Sequence, residues 1–375
     1  MEGMMRILYI CTYYHRAMVF RDSMNYLEKR GHSIIAFNAV KNGAKVDEKY
    51  KAIMDDKVIH KECFSESDRF FYRIKQRKIV NAVENSVRTE DFDLIHSHTL
   101  FNGGWATYQL HKRHGVSYVV SVRNTDLNVF LKIPLFRIVA RTITDNAAGV
   151  LFLSEAYKEK FLDICYKGNH RDSIIQKCDV IPNGLEPFWL ENTGMAKTEV
   201  HSPLRLLCVG KIDRNKNMDT VIQVLKELNA EGTAASLTAI GQVLDPGVKN
   251  TLDNSKNVRV IPYLTKEELI QYYRDADIFV MPSFRETFGR VYAEAMTQGV
   301  PVVYTRGQGF DGTFPEGTVG YSVKADDVKG IADAVRKITE NYSAISKQCV
   351  ENSKMFNWTD ISERLEQFYT AALDR

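Results

Sequence analysis

Short apolar runs alternate with amphipathic stretches along the whole chain. "RILYICT" (6–12), "SIIAFN" (33–38), "DLIHSH" (93–98), "YVVSV" (118–122), "GVLFLS" (149–154) and "DVIPN" (179–183) are brief and rich in β-branched and aromatic residues, so they predict strands. Between them, Arg21–Arg30, Gly104–His114 and Glu155–Leu162 place apolar residues at helical spacing. The pattern then restarts. "RLLCVG" (205–210), "SLTAIG" (236–241), "VRVIPY" (258–263), "DIFVMPS" (277–283) and "VPVVYT" (300–305) predict strands, with a helix near Met218–Glu231. Strands alternating with helices of this length imply β-α-β units and parallel sheets, and two such series imply two Rossmann-like domains. The last segment, "NWTDISERLEQFYTAAL", predicts an amphipathic helix capped by Thr359 or Asp360.

The expected division is an N-terminal domain over 1–185, a linker over 186–203, a C-terminal domain over 204–356 and a final helix over 357–375. The linker is expected because "PNGLEPFWLENTGMAKTEVHSP" (182–203) has no period and carries Pro and Gly. Ligands of open α/β sheets bind beyond the carboxyl ends of the strands, so a site in a cleft between the two domains is expected.

Composition narrows the field. The 375 residues are 44% hydrophobic and 26% charged, ordinary for a globular chain of two domains. A net charge of +3 gives no reason to expect a nucleic-acid partner. No apolar run is long enough to span a bilayer, and the N-terminus does not read as a signal peptide. The six cysteines show no C-x-x-C spacing, and Cys11, Cys178 and Cys208 lie in or beside apolar runs. They read as reduced, largely buried thiols in a cytoplasmic protein.

The stretch "FRETFGRVYAE" (284–294) carries the first candidate chemistry. It follows a predicted strand, and helical periodicity begins at Gly289, so Glu286 falls in the loop and Glu294 about one turn into the helix. Backbone N–H groups at Gly289–Val291 are open to a phosphate, and Gly289 allows close approach. A carboxylate accepts from two hydroxyls at once, so each glutamate suits a diol. A phosphate flanked by two sugars, a nucleotide-sugar, fits all three features. Spacing alone leaves open that Glu286 caps the helix while Glu294 is solvated. "CVGKIDRNKN" (208–217) repeats the strand–Gly–loop theme, and Lys211 and Lys216 there can neutralise a departing diphosphate. A solvated basic loop is the competing reading.

"VGKIDRNKN", "VIPNGLE" and "DADIFVMPSFRETFGRVYAEAMTQGVPVV" together resemble glycosyltransferase family 4, the retaining GT-B enzymes, over nearly the whole chain. Glu286 and Glu294 match the E-x7-E motif of that family. The resemblance implies an α/β GT-B fold, with two Rossmann-like domains across a cleft and the last helix returning to the first domain. It implies transfer with retention and no essential metal or other cofactor. By the same resemblance Glu286 holds the donor sugar and Glu294 the ribose. Lys211 and Lys216 meet the diphosphate, with the Phe288–Gly289–Arg290–Val291 backbone against sugar and phosphate. Gly210 ends the first strand of that domain, and backbone near Ile261 receives the base. Lys211 stands where many members have Arg, and Pro262 where Gly is common.

The first domain departs further. "CTYYHRAMVFRDS" (11–23) lacks the family's Gly-rich loop, and "SVRNTD" (121–126) places Arg123 where many members have His. Arg123 is therefore a candidate for an acidic acceptor or the donor phosphate. His15 and Asp126 are candidates for orienting the acceptor hydroxyl. In "HSH" (96–98) the histidines share one side of a strand; His98 is expected to line the cleft rather than bind zinc, because no third ligand is nearby.

The expected activity is retaining transfer of a hexose or N-acetylhexosamine from a nucleotide-diphosphate sugar to a glycan or lipid-linked acceptor in surface-polysaccharide assembly. The alternatives are a GT-B nucleotide-sugar epimerase, a glycoside hydrolase using the two glutamates, and a non-catalytic nucleotide-sugar binding module. The hydrolase has no use for the lysines. NAD is disfavoured, since no G-x-G-x-x-G follows the first strand. Segments 69–83 ("RFFYRIKQRKIVNAV") and 129–143 ("VFLKIPLFRIVARTI") interleave cations with apolar residues at helical spacing. The first is expected to touch an anionic membrane surface, peripheral on its inner face; for both, a helix that merely covers a sheet stays open.

Overall fold

The computed structural model describes residues 3–46, 51 and 54–375, and only the backbone of Arg16 and Arg69. The chain divides into two units, Met1–Gly184 with Trp358–Arg375, and Leu185–Asn357.

The first unit holds seven strands: β1 (Arg6–Cys11), β2 (Ser33–Lys41), β3 (Val58–Phe64), β4 (Leu94–Ser97), β5 (Ser117–Ser121), β6 (Gly149–Phe152) and β7 (Cys178–Val180). Their order is β3-β2-β1-β4-β5-β6-β7, and every pairing is parallel. The central strands are buried on both faces, which explains why β4 and β6 read as short runs rather than as alternation. One face carries the helices Tyr72–Glu84, Gly104–His114, Pro134–Asn146 and Glu155–Cys165, around Ile79, Trp105, Ile143 and Phe161. The other carries Met18–Lys29 and the last helix, Trp358–Leu373, around Met24, Leu27, Trp358 and Tyr369.

That last helix starts at Trp358, ahead of the expected cap at Thr359 or Asp360. Glycines make room for it. A Cβ on Gly184 would lie 2.5 Å from the Trp358 ring, and one on Gly149 would lie 2.6 Å from Phe368. Tyr369 fixes its azimuth: the hydroxyl meets His96 Nδ1 at 2.7 Å and the Tyr9 hydroxyl at 3.2 Å.

The second unit holds β8 (Leu204–Val209), β9 (Ala235–Ile240), β10 (Val258–Ile261), β11 (Ile278–Val280), β12 (Val302–Thr305) and β13 (Gly320–Val323), ordered β10-β9-β8-β11-β12-β13, again all parallel. Both sheets reverse direction of growth beside their first strand, at β1/β4 and β8/β11, which opens a crevice at the carboxyl ends of those strands.

Segment 186–203, expected as a linker, packs into the second unit instead. Pro187–Glu191 is helical, Trp189 is buried edge-on to Tyr273, Gly194 N–H donates to Thr297 O, and Lys197 Nζ donates to the carbonyls of Tyr273 and Ala276. Its anchors are single aromatic and cationic side chains, which leave no period to read. Strands β3 and β13 were also unread. Both lie at sheet edges, where β3 interleaves exposed Lys61 and Glu62 and β13 is only four residues long.

Candidate active site

At the β8/β11 crevice, two loops meet. After β8, Gly210 turns the chain, and a Cβ there would meet the Lys216 stem at 3.1 Å, so the glycine lets that side chain lie across the strand end. Asp213 begins the 3-10 turn Arg214–Lys216 by accepting Lys216 N–H at 3.0 Å. Asn217 is left-handed at φ 57°, and its amide donates to Pro282 O and Ala325 O, which pins the turn against the loop after β11. From that second loop Glu286 reaches Lys216, Nζ to Oε2 at 2.6 Å, with both side chains mostly shielded from water.

Glu286 is held by its backbone as well. Its N–H donates to Gln308 Oε1 at 3.1 Å, and its carbonyl accepts Gly309 N–H at 3.2 Å. A Cβ on Gly309 would fall 1.8 Å from Thr287 O, so only glycine fits this contact. The chain then enters the helix Arg290–Thr297 through Gly289 at φ 77°, placing first-turn N–H groups beside Glu286. Phe288 turns inward against Phe310 and Phe356, so it offers the site its backbone only.

Glu294 lies in the second turn of the same helix. The buried Tyr273 hydroxyl donates to its Oε2 at 3.2 Å; burial raises the Glu294 pKa, while the Arg290 charge and this hydrogen bond oppose the rise. Lys211 is exposed in the loop after β8, with no ion pair among the described residues. The structure thus brings Lys216, Glu286, Gly289 and the helix N-terminus together, with Glu294 in the second turn of that helix. Ile261 ends β10, on the far side of β9, and its carbonyl accepts Gly241 N–H at 3.0 Å. Sequence reading missed the supports Asp213, Asn217, Tyr273 and Gln308. Asn217 alone carried a usable signal, as an Asn just before a helix.

In the first unit the acceptor-side candidates follow three strands: His15 after β1, His98 after β4, and Arg123 and Asp126 after β5. His15 is buried and pairs through Nδ1 with Asn38, which also bonds His60 Nδ1 at 2.8 Å. With Thr12, Tyr13, Lys41, Lys75 and Asn102 it lines a cavity of about 190 Å³. His98 does not reach this cavity. It stacks on His96 at 4.0 Å, with no hydrogen-bond partner for either ring nitrogen among the described residues, and burial and the neighbouring charges push its pKa well below normal. His96 is fully engaged by Tyr369 and Ser121, and burial holds its pKa near about 3. No group of three His, Cys, Asp or Glu among the described residues could hold a metal.

Arg123, the candidate for an acidic acceptor or the donor phosphate, is half-buried and engaged on one side. Its Nε donates to His98 O at 2.7 Å, and its guanidinium lies over the Phe20 ring. It lines, with His98 and Asn183, a space of only about 30 Å³. Asp126, the candidate for orienting an acceptor hydroxyl, is buried and turned to the backbone. Its oxygens accept the N–H groups of Leu100, Phe101 and Arg123, so it shapes the loop, and burial raises its pKa to about 6.

Twin parallel sheets of Rossmann order, a lysine–glutamate pair at one switch point and a glycine-entered helix beside it define a two-domain α/β glycosyltransferase fold of the GT-B type. The family description "Glycosyl transferase 4-like domain" matches residues 67–174, and "Glycosyl transferases group 1" matches residues 195–356. Both are descriptions of glycosyltransferases, and together they support a GT-B glycosyltransferase of the family 4-like kind. Among curated relatives, it is 25% identical to a D-inositol 3-phosphate glycosyltransferase of Corynebacterium aurimucosum over 307 residues, 76% of this chain and 72% of that protein. Among solved structures, it is similar to the lipopolysaccharide outer core galactosyltransferase WaaB, with TM-score 0.75 and 15% identity over 98% of this chain and 99% of that one. It is also similar to a sucrose-phosphate synthase from Thermosynechococcus elongatus, with TM-score 0.73 and 18% identity over 98% of both chains. At these identities the structural likenesses speak for the fold.

Proposed function

We propose that this glycosyltransferase moves a hexose or N-acetylhexosamine from a nucleotide-diphosphate sugar to a glycan or lipid-linked acceptor, with retained anomeric configuration and without an essential metal, in cell-surface polysaccharide assembly. The observation that carries this reading is the Lys216–Glu286 pair, 2.6 Å apart beside the N-terminus of the Arg290–Thr297 helix. Cation, carboxylate and open N–H groups together match a ligand that carries both diphosphate and hydroxyls. When the donor enters, its phosphate oxygens take the Lys216 ammonium and its sugar hydroxyls take Glu286, so the resting pair is a placeholder for both contacts. Glu294, one turn further along, takes the ribose.

The reaction breaks the bond between the anomeric carbon and the diphosphate oxygen, and forms one from the acceptor oxygen to the same face of that carbon. The acceptor proton passes to the departing diphosphate oxygen. The chain supplies position and charge stabilisation: Lys216, Lys211 and the helix N-terminus face the negative charge as it grows on the leaving group. All six cysteines are free, which suits the reducing cytoplasm in which we place the enzyme.

The test is binding and slow hydrolysis across a panel of nucleotide-sugars, with and without chelator, followed by NMR of the product's anomeric configuration. Saturable binding of one donor and chelator-insensitive nucleotide release, lost in Lys216→Ala, are expected. An inverted product, an epimerised donor or chelator-sensitive release would overturn the corresponding part.

A further inference from the structure

Two stretches of the first unit expose apolar side chains that no described residue covers. Phe70 and Phe71 are 86% and 60% exposed, at the entrance to the helix Tyr72–Glu84, and Ile74 follows one turn in. Ile133, Leu135 and Ile138 are 50%, 67% and 56% exposed around the start of the helix Pro134–Asn146, with Val129 just before them. The two stretches abut, since Tyr72 and Phe136 pack edge to face at 5.1 Å. They therefore form one continuous apolar rim.

Its charge is one-sided. Segments 69–83 and 129–143 contain no Asp or Glu. Arg77, Lys132, Arg137 and Arg141 are exposed there, and none has an ion pair among the described residues. Lys78, on the same helix as Arg77, pairs with Asp68, and several arginines elsewhere on this unit are matched: Arg30 with Glu366, Arg113 with Glu84, Arg171 with Glu159 and Asp163. An apolar rim studded with unmatched cations is complementary to a surface that offers both anionic groups and hydrocarbon. A second copy of the same face would set these cations against each other. No described helix is long and apolar enough to cross a membrane, so contact would be with the bilayer interface.

Both helices follow a strand's carboxyl end, the edge that holds the cavity of His15 and Tyr13. Lys75, from the same turn as Ile74, lines that cavity and lies 4.8 Å from the Phe64 ring centre. We propose that the face made by 70–77 and 129–141 rests on an anionic lipid bilayer and presents this cavity to acceptors carried in it. The docking stands on the surface alone; delivery of the acceptor rests on the transfer reading given above.

The test is sedimentation of the full chain with vesicles of phosphatidylcholine alone, or with a third replaced by phosphatidylglycerol. Wild type is compared with Leu135→Ser/Ile138→Ser and with Arg137→Glu/Arg141→Glu, positions whose exposure keeps folding out of the question. Salt-sensitive binding to the anionic vesicles is expected, weakened about tenfold or more in each variant. Donor hydrolysis in solution should stay within about twofold of wild type, because surface changes away from a site are nearly neutral. Failure of wild type to bind, equal binding by both variants, or a dimer that both variants abolish without vesicle binding would overturn the docking. Vesicle binding that follows the expected pattern in a chain that hydrolyses no donor would support the docking and refute only the transfer reading.

Discussion

At the residue scale, the lysine and glutamate that pair in the resting site should fail differently when removed. Lys216 faces charge that is largest in the transition state, so Lys216→Ala should lower kcat by about 100-fold or more, the effect of removing one preorganised charge contact. Glu286 faces hydroxyls whose charge does not change. Glu286→Ala should therefore disturb sugar positioning while nucleotide affinity, read by calorimetry, holds. Exposed Lys211 should matter less than shielded Lys216. Unchanged kinetics in both Lys216→Ala and Glu286→Ala would remove the site. A second prediction concerns two buried groups of opposite sign. His96 has its pKa lowered to about 3 by burial, so the unfolded chain binds the extra proton and stability rises with pH from there up to the ordinary value of 6.5. Asp126 is raised from 3.8 to about 6, so the native state holds the extra proton and stability falls with rising pH over that window. The two oppose each other. Asp126→Asn removes the falling component, so its Tm should climb more steeply than wild type across that window in scanning calorimetry.

At the element scale, the loop after β11 is held by a contact with no room for a side chain. Gly309→Ala would set a Cβ 1.8 Å from Thr287 O, and the backbone that carries Glu286 must shift to relieve it. A displacement of this order at a positioning group costs about 100-fold in rate, so kcat/KM should fall at least as far as Tm reports damage. A variant that kept full activity would show the loop to be more forgiving than its packing. Much of this was legible. The buried strands β1, β4, β6 and β8 announced themselves as apolar runs, and the helix Gly104–His114 ends at Gly115, which is left-handed at φ 74°. The two missed strands sit at sheet edges, where charge interruption and shortness erase the signal. The placing of Glu286 in the loop and Glu294 in the helix was legible because the Gly289 helix entry lies between them in one stretch. The surroundings of Asp126 and Arg123 were not legible, because several of their partners are backbone atoms, and a sequence carries no mark of which N–H or carbonyl a side chain will meet.

At the scale of the molecule, both sheets grow in the same order around their first strand, and His15 and His98 in one unit and Lys216 and Glu286 in the other follow the two strands at that switch point, so their placement follows from topology as much as from motif. The division of the chain is not a single cut, however. The last helix, which begins at Trp358 after the whole of the second unit, Leu185–Asn357, belongs to the first unit's core. It buries Trp358, Ile361, Leu365, Phe368 and Tyr369 there. At about 1.5–3 kcal/mol for each large apolar side chain, its loss removes as much as the 5–15 kcal/mol (about) by which a domain is normally stable. Truncation after Asn357 would also leave His96 Nδ1 and the Tyr9 hydroxyl without their Tyr369 partner in a buried setting. The second unit, Leu185–Asn357, loses none of its own residues. Limited proteolysis of the truncated chain should therefore digest the first unit and leave a resistant fragment that begins near Leu185. A truncated chain whose first unit resisted digestion would show that the sheet and its remaining helices suffice, and would reduce the last helix from a part of the core to a cover for it.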